Sequence, residues 1–193
     1  MAASKRFVCI HGHFYQPPRE NPWLETVETQ DTAAPYHDWN ERVCAECYAP
    51  NGAARIVNSK NQITRIVNNY ARISFNFGPT LLSWLMENAQ RTYRMILDGE
   101  RRSRKSFKGH SSAMAQVYNH VILPLANRRD RITQIRWGIA DYQRHYDAYC
   151  QDRDDDFQLP VLVDLLLKLL LYGLEMFVVV VVAPPPCVGG CRH

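Results

Sequence analysis

The stretch "ARISFNFGPTLLSWLMENAQ", residues 71–90, does most to limit what this chain can fold into. Residues 71–77 alternate apolar and polar side chains, the period of a strand with one buried face. Gly78-Pro79 then breaks the pattern. From Thr80, a residue able to cap a helix, Leu81, Leu82, Leu85, Met86, Ala89 and Tyr93 recur on one helical side. The spacing predicts one helix to about Leu97, with Gly99 as its stop. A strand feeding a helix is half of a parallel β/α unit.

The start of the chain reads the same way. "RFVCI", residues 6–10, is a short apolar run that ends in His11-Gly12-His13 and, soon after, Pro17-Pro18. It predicts a buried strand closing at Ile10. In β/α barrels the chemistry sits at the C-terminal ends of the strands, so His11 and His13 would stand just beyond the first strand. Ile63, Ile66, Val67 and Tyr70 recur at helical spacing, as do Ile132, Ile135, Ile139, Tyr142 and Tyr146. Residues 19–50 read as a long aromatic loop, which inside a compact domain is usually functional. "PVLVDLLLKLLLYG" predicts a helix stopped by Gly173, and "MFVVVVVAP" a strand buried on both faces. The expectation is α/β, one domain over residues 1–183, with a disordered tail at 184–193.

Composition removes several classes. A net charge of +4 is mild, and its densest run, residues 101–108, reads as a solvated segment; no nucleic-acid partner is expected. Six cysteines in 193 residues are too sparse for a disulfide scaffold. Cys44, Cys47, Cys187 and Cys191 have four-thiolate zinc spacing within each pair, but the pairs lie far apart in sequence, and no metal is expected. "MAASKRFVCIHGH" lacks a secretory pattern, so a cytoplasmic location is the default. Residues 165–183 are long enough to span a bilayer. Lys168 and Glu175 would be costly there, so helix, turn and strand is the preferred reading over membrane attachment. There is no Walker sequence, HExxH or GxSxG.

Four stretches can carry chemistry. "HGHFYQPP" offers His11, His13 and Gln16 to hydroxyls and aromatic rings to a sugar face, with Gly12 allowing close approach; a structural histidine cluster is the plain alternative. "WNERVCAECYAPNG" holds Glu41 and Glu46, which glycosidic chemistry would need as a flanking carboxyl pair, and which a solvated loop would explain as well. Gln116, Asn119 and His120 sit among apolar residues and must be paired internally or by a ligand. Trp137 and Asp141, four apart, share a helix face; core packing and surface exposure are the alternatives.

Read together, "HGHFYQPPRENPW", "WNERVCAECYAPNGAARI", "GHSSAMAQVYNHVILPLANRRDRITQIRWGIADYQRHY" and, more loosely, "LPVLVDLLLKLLLYG" resemble glycoside hydrolase family 57, in its bacterial branch carrying a further domain of unknown function. The likeness covers about residues 6–148. It implies a distorted seven-stranded (β/α) barrel, incomplete here, that acts on α-glucans or oligosaccharides with retention, by hydrolysis or glucan transfer, without metal or organic cofactor. By that resemblance His11, His13, Gln16, Glu46, Gln116, His120 and Asp141 would contact the sugar.

The chain also departs from the family. Phe14 and Tyr15 stand between His13 and Gln16-Pro17, where the family's first motif runs His-x-His-Gln-Pro. Val161 occupies the place of the nucleophilic Glu, and the acid/base Asp is expected beyond residue 193. The resemblance therefore predicts the N-terminal part of an α-glucan-active enzyme without its catalytic pair. A non-catalytic carbohydrate-binding or regulatory remnant is the alternative, and a membrane-attached protein a third. An incomplete barrel would expose strand edges, so self-association is expected.

Overall fold

The computed structural model describes residues 9–147. Its organising element is a parallel pair, β1 (His11–Phe14) against β6 (Ser74–Phe77), in the register His11↔Ser74, Gly12↔Phe75, His13↔Asn76 and Phe14↔Phe77. An isolated parallel bridge from Phe75 to Ala113 adds a third segment beside β6. Between them the chain builds the crossover that parallel pairing requires: α3 (Pro79–Asn88) and α4 (Gln90–Ser106).

Alternation gives this small sheet two unlike faces. Phe75 and Phe77 are buried, while Ser74 and Asn76 are only half so. Phe14 stacks on Phe77 at 4.8 Å and meets Tyr48 and Tyr70 edge-on, each at 5.7 Å. Leu81, Leu82 and Leu85 of α3 and Ile96 and Leu97 of α4 belong to the same buried cluster. The Tyr70 hydroxyl is satisfied inside it, donating to the Tyr48 carbonyl at 2.9 Å, and burial drives its pKa far above the ordinary value.

The first strand differs from the expected one. Among the described residues the strand is His11–Phe14, so the two histidines lie within it rather than past its end, paired with Ser74 and Asn76; residues 6–8 of the apolar run lie outside the described residues. Residues 63–70 are not a helix. β4 (Ala54–Val57) and β5 (Ile63–Val67) form an antiparallel hairpin, and Tyr70 falls in a short 3-10 turn. The β-branched residues Ile63, Thr64, Ile66 and Val67 suit a strand. Asn58 closes the loop, its side-chain oxygen accepting from the backbone of Lys60 and Gln62.

The expected long helix is two. Gly78, not Thr80, is the N-cap of α3, with Pro79 at the first helical position. Ala89 leaves the helical region (φ −136°, ψ 51°), and the turn lets α3 and α4 both face the aromatic cluster. Gly99 lies inside α4, where a Cβ would come within 2.6 Å of Tyr70 Cβ; it is a packing glycine and not a stop.

Residues 19–50 are less irregular than a loop. They hold the short hairpin β2 (Glu20–Asn21) and β3 (Thr26–Val27), then α1 (Trp39–Val43), capped by Asp38, a π-helical turn Cys44–Tyr48 and α2 (Ala49–Gly52). The second helical stripe forms α5 (Arg128–Tyr142), capped by Asn127 and continued by a π-helical turn, Gln143–Asp147. α5 is pressed against the segment after the Ala113 bridge: a Cβ on Gly138 would overlap the Gln116 carbonyl.

The described residues thus form mixed α and β structure with three two-stranded sheets, none closed. The helix and strand read in 160–183, the tail at 184–193, Cys187 and Cys191 lie outside the described residues. Gly138→Ala forces α5 away from Gln116 and is expected to lower stability by about 1–3 kcal/mol, read as a fall in the denaturant midpoint.

Candidate functional site

The face of the sheet opposite the aromatic cluster is polar. His11 and His13 are two apart on β1, and Ser74 and Asn76 are their register partners on β6. Gln116, three beyond Ala113, joins the same side. The local sequence explains this: "HGHF" and "SFNF" each place small or aromatic residues at one parity and hydrogen-bonding residues at the other.

These side chains form one directed chain of hydrogen bonds. His13 Nδ1 lies 3.0 Å from Asn76 Oδ1. An amide oxygen only accepts, so Nδ1 carries the proton and, in neutral His13, Nε2 presents its lone pair. His13 Nε2 lies 3.0 Å from His120 Nε2, which must then donate. Asn76 Nδ2 donates to Gln116 Oε1 at 2.6 Å. That orientation leaves Gln116 Nε2 as a buried donor with no partner among the described residues. Such a donor is costly unless something accepts from it.

The two imidazoles meet head-on. Their centroids are 5.2 Å apart and their Nε2 atoms 3.0 Å, so nearly all the excess separation lies along the line joining the nitrogens. This suits a shared proton and leaves no room for a metal between them, since two nitrogens on opposite sides of one ion at about 2.0–2.1 Å each would stand about 4 Å apart. Among the described residues no cluster of three or more His, Cys, Asp or Glu side chains could hold a metal. Cys44 is buried with its thiol at 3.7 Å from Thr92 Oγ1, and desolvation raises its pKa.

His120 is held in place at some cost. Its φ is +50°, the left-handed region that a branched or bulky side chain seldom adopts. Such strain persists where surrounding contacts enforce it. Here Tyr15 stacks on the ring with centroids 4.1 Å apart, and His13 bonds its edge. Tyr15 itself packs close over Gly78, whose missing side chain leaves room for both Tyr15 and the Gln116 amide.

The remaining expected residues divide into two groups. Gln16 is tied into the structure, donating to Tyr48 OH at 3.2 Å and accepting from Arg19 at 2.8 Å. Asp141 lines a small depression shared with Gln116, Gly138, Phe77 and Tyr146, and lies 3.5 Å from buried His145 Nε2, whose Nδ1 meets Tyr93 OH at 2.8 Å. The histidines do not line that depression; Gln116 is the link between it and the polar face. Glu46 is not in this network: it is exposed and paired with Arg42 at 3.2 Å. Glu41 accepts from the His37 backbone. Sequence reasoning missed Ser74, Asn76 and the role of Tyr15. The alternation in "SFNF" was the available signal, but only the register shows that Asn76 faces His13.

No family model, curated protein or solved structure matches this chain. Among the described residues no helix is long and apolar enough to cross a membrane.

His11 gives the face a pH dependence. Its Nδ1 lies 2.9 Å from Ser74 Oγ, and desolvation lowers its pKa from the ordinary 6.5, opposed by the Asn76 side chain and reinforced by His13. The folded state therefore favours neutral His11. Its contribution is complete above about pH 6.5 and is lost as pH falls from there through the folded value. Denaturation midpoints across this window should decline more shallowly in His11→Asn than in the unaltered chain; equal slopes would remove His11 as the cause.

Proposed function

We propose that the polar face of β1 and β6 is a carbohydrate-binding surface for α-glucans or oligosaccharides, and that the chain is the N-terminal part of a barrel resembling glycoside hydrolase family 57. The observation that carries the reading is the ordered chain His120–His13–Asn76–Gln116 beside the Tyr15 ring. Sugar hydroxyls each donate and accept, and the C–H face of a pyranose packs on an aromatic ring. Both nitrogens of His13 are engaged within the row, so the positions left for hydroxyls are His120 Nδ1 and the remaining amide hydrogens and lone pairs of Asn76 and Gln116, while Tyr15 with His120 offers the ring face.

Retaining hydrolysis needs two carboxyls about 5–5.5 Å apart. Of the carboxylates considered above, Asp141 alone borders the site, while Glu41 and Glu46 are engaged elsewhere. Val161, where the resemblance places the nucleophile, cannot attack an anomeric carbon. Without that pair the chain binds glucan weakly and does not turn it over.

Calorimetric titration of the full chain with maltooligosaccharides should show millimolar-range binding, weakened at least about fivefold by His13→Ala or Asn76→Ala, a loss of about 1 kcal/mol as expected for one hydrogen bond. Reducing-sugar release should stay at background. Release that Glu46→Gln abolishes would put a different carboxylate pair at work and end the reading.

Self-association belongs to the same proposal. Among the described residues β4 and β5 pair only with each other, and Ile56, Val57, Ile63 and Ile66 are exposed on that hairpin. Open apolar edges recruit further strands. Light scattering at micromolar concentration is expected to give a mass above 22.4 kDa, reduced by Ile56→Lys with Ile66→Lys; a monomer at all concentrations contradicts it.

A further inference from the structure

We infer that Trp137 and Tyr118 form a second sugar-stacking subsite beside the histidine face, so that the site takes a chain of sugars rather than one. The inference rests on the carbohydrate reading above and names the side chains that would hold a second sugar of the ligand.

Trp137 lies on α5 with half its surface exposed (52 %), although its sequence context suits a core position. Tyr118 is also exposed, and the two rings meet edge to face with centroids 5.8 Å apart. In that arrangement each ring braces the other, and the exposed surface is a fixed aromatic platform rather than a loose side chain.

Three links place the platform next to the polar face. Trp137 precedes Gly138, which packs directly on the Gln116 carbonyl. Trp137 and Asp141 are one helical turn apart, about 5–6 Å, and Asp141 borders the depression that Gln116 shares. Tyr118 is two residues from His120, at most about 7 Å along the chain. Gln134 fixes this segment on α5: its backbone carbonyl accepts from Tyr118 N at 3.2 Å and its side-chain oxygen from Asn119 N at 2.8 Å. The platform and the hydrogen-bonding groups are therefore held on one scaffold, the segment 116–120 docked on α5. A ligand with hydroxyls for His120 and the Asn76–Gln116 amides and a further pyranose face for Trp137 fits both; a monosaccharide reaches only the first.

The test compares glucose with maltohexaose by calorimetric titration of the full chain. The unaltered chain should bind maltohexaose about tenfold more tightly, the effect of one stacked ring. Trp137→Ala should bring maltohexaose to within about twofold of glucose and leave glucose unchanged, with Trp137→Phe in between; near-ultraviolet circular dichroism checks that each variant is folded. Glucose binding without any gain for maltohexaose, or a Trp137→Ala loss equal for both sugars, overturns the subsite and leaves the carbohydrate reading standing. Absence of maltohexaose binding overturns both.

Discussion

The parallel register of β1 on β6 is the constraint on which the rest depends. It puts Phe14 against Phe77 on one side and His13 against Asn76 on the other. A slip by one residue would turn the phenylalanines to solvent and the histidines into the core. The cost of burying imidazoles among Tyr70, Leu81 and Leu85 would be large, so the hydrophobic effect on one face fixes the hydrogen-bond geometry on the other. The stability of the aromatic cluster and the precision of the polar chain are two consequences of one pairing.

Glycines let the other elements approach that sheet. Gly78 leaves room at the end of β6 for Tyr15 and the Gln116 amide, and Gly138 brings α5 onto the Gln116 backbone. The chain can then hold Gln116 from both sides: Asn76 orients its oxygen, and the helix supports its backbone. The site thus combines His13 and Asn76 on paired strands with Tyr15, Gln116 and His120 in loops packed against them. The left-handed backbone of His120 fits the same arrangement, with its ring held between Tyr15 and His13.

Much of this was open to the sequence. Gly78-Pro79 marks a strand passing into a helix, and β6 and α3 lie on its two sides. The α5 stripe could be read because a 15-residue helix repeats its apolar pattern several times. Short elements could not. Ile63, Ile66 and Val67 fit a helical period and a strand equally well, and the hairpin partner at Ala54–Val57 decided between them. The turn at Ala89 was hidden because each half of the stripe is apolar on a consistent side, and only packing against one common cluster shows that the axis must bend.

The candidate site divides along the same line. Residue chemistry singled out His11 and His13 beside Gly12 and the aromatics, and Gln116, Asn119 and His120 because polar groups placed among apolar neighbours must find partners. Tertiary structure alone decided the rest: that Asn76 rather than a carboxylate orients His13, and that Trp137 faces outward beside Tyr118. The physical reason is distance along the chain. His13 and Asn76 are 63 residues apart, and His13 and His120 are 107 apart, so no local pattern encodes their meeting; it follows from strand register and from the close contact at Gly138.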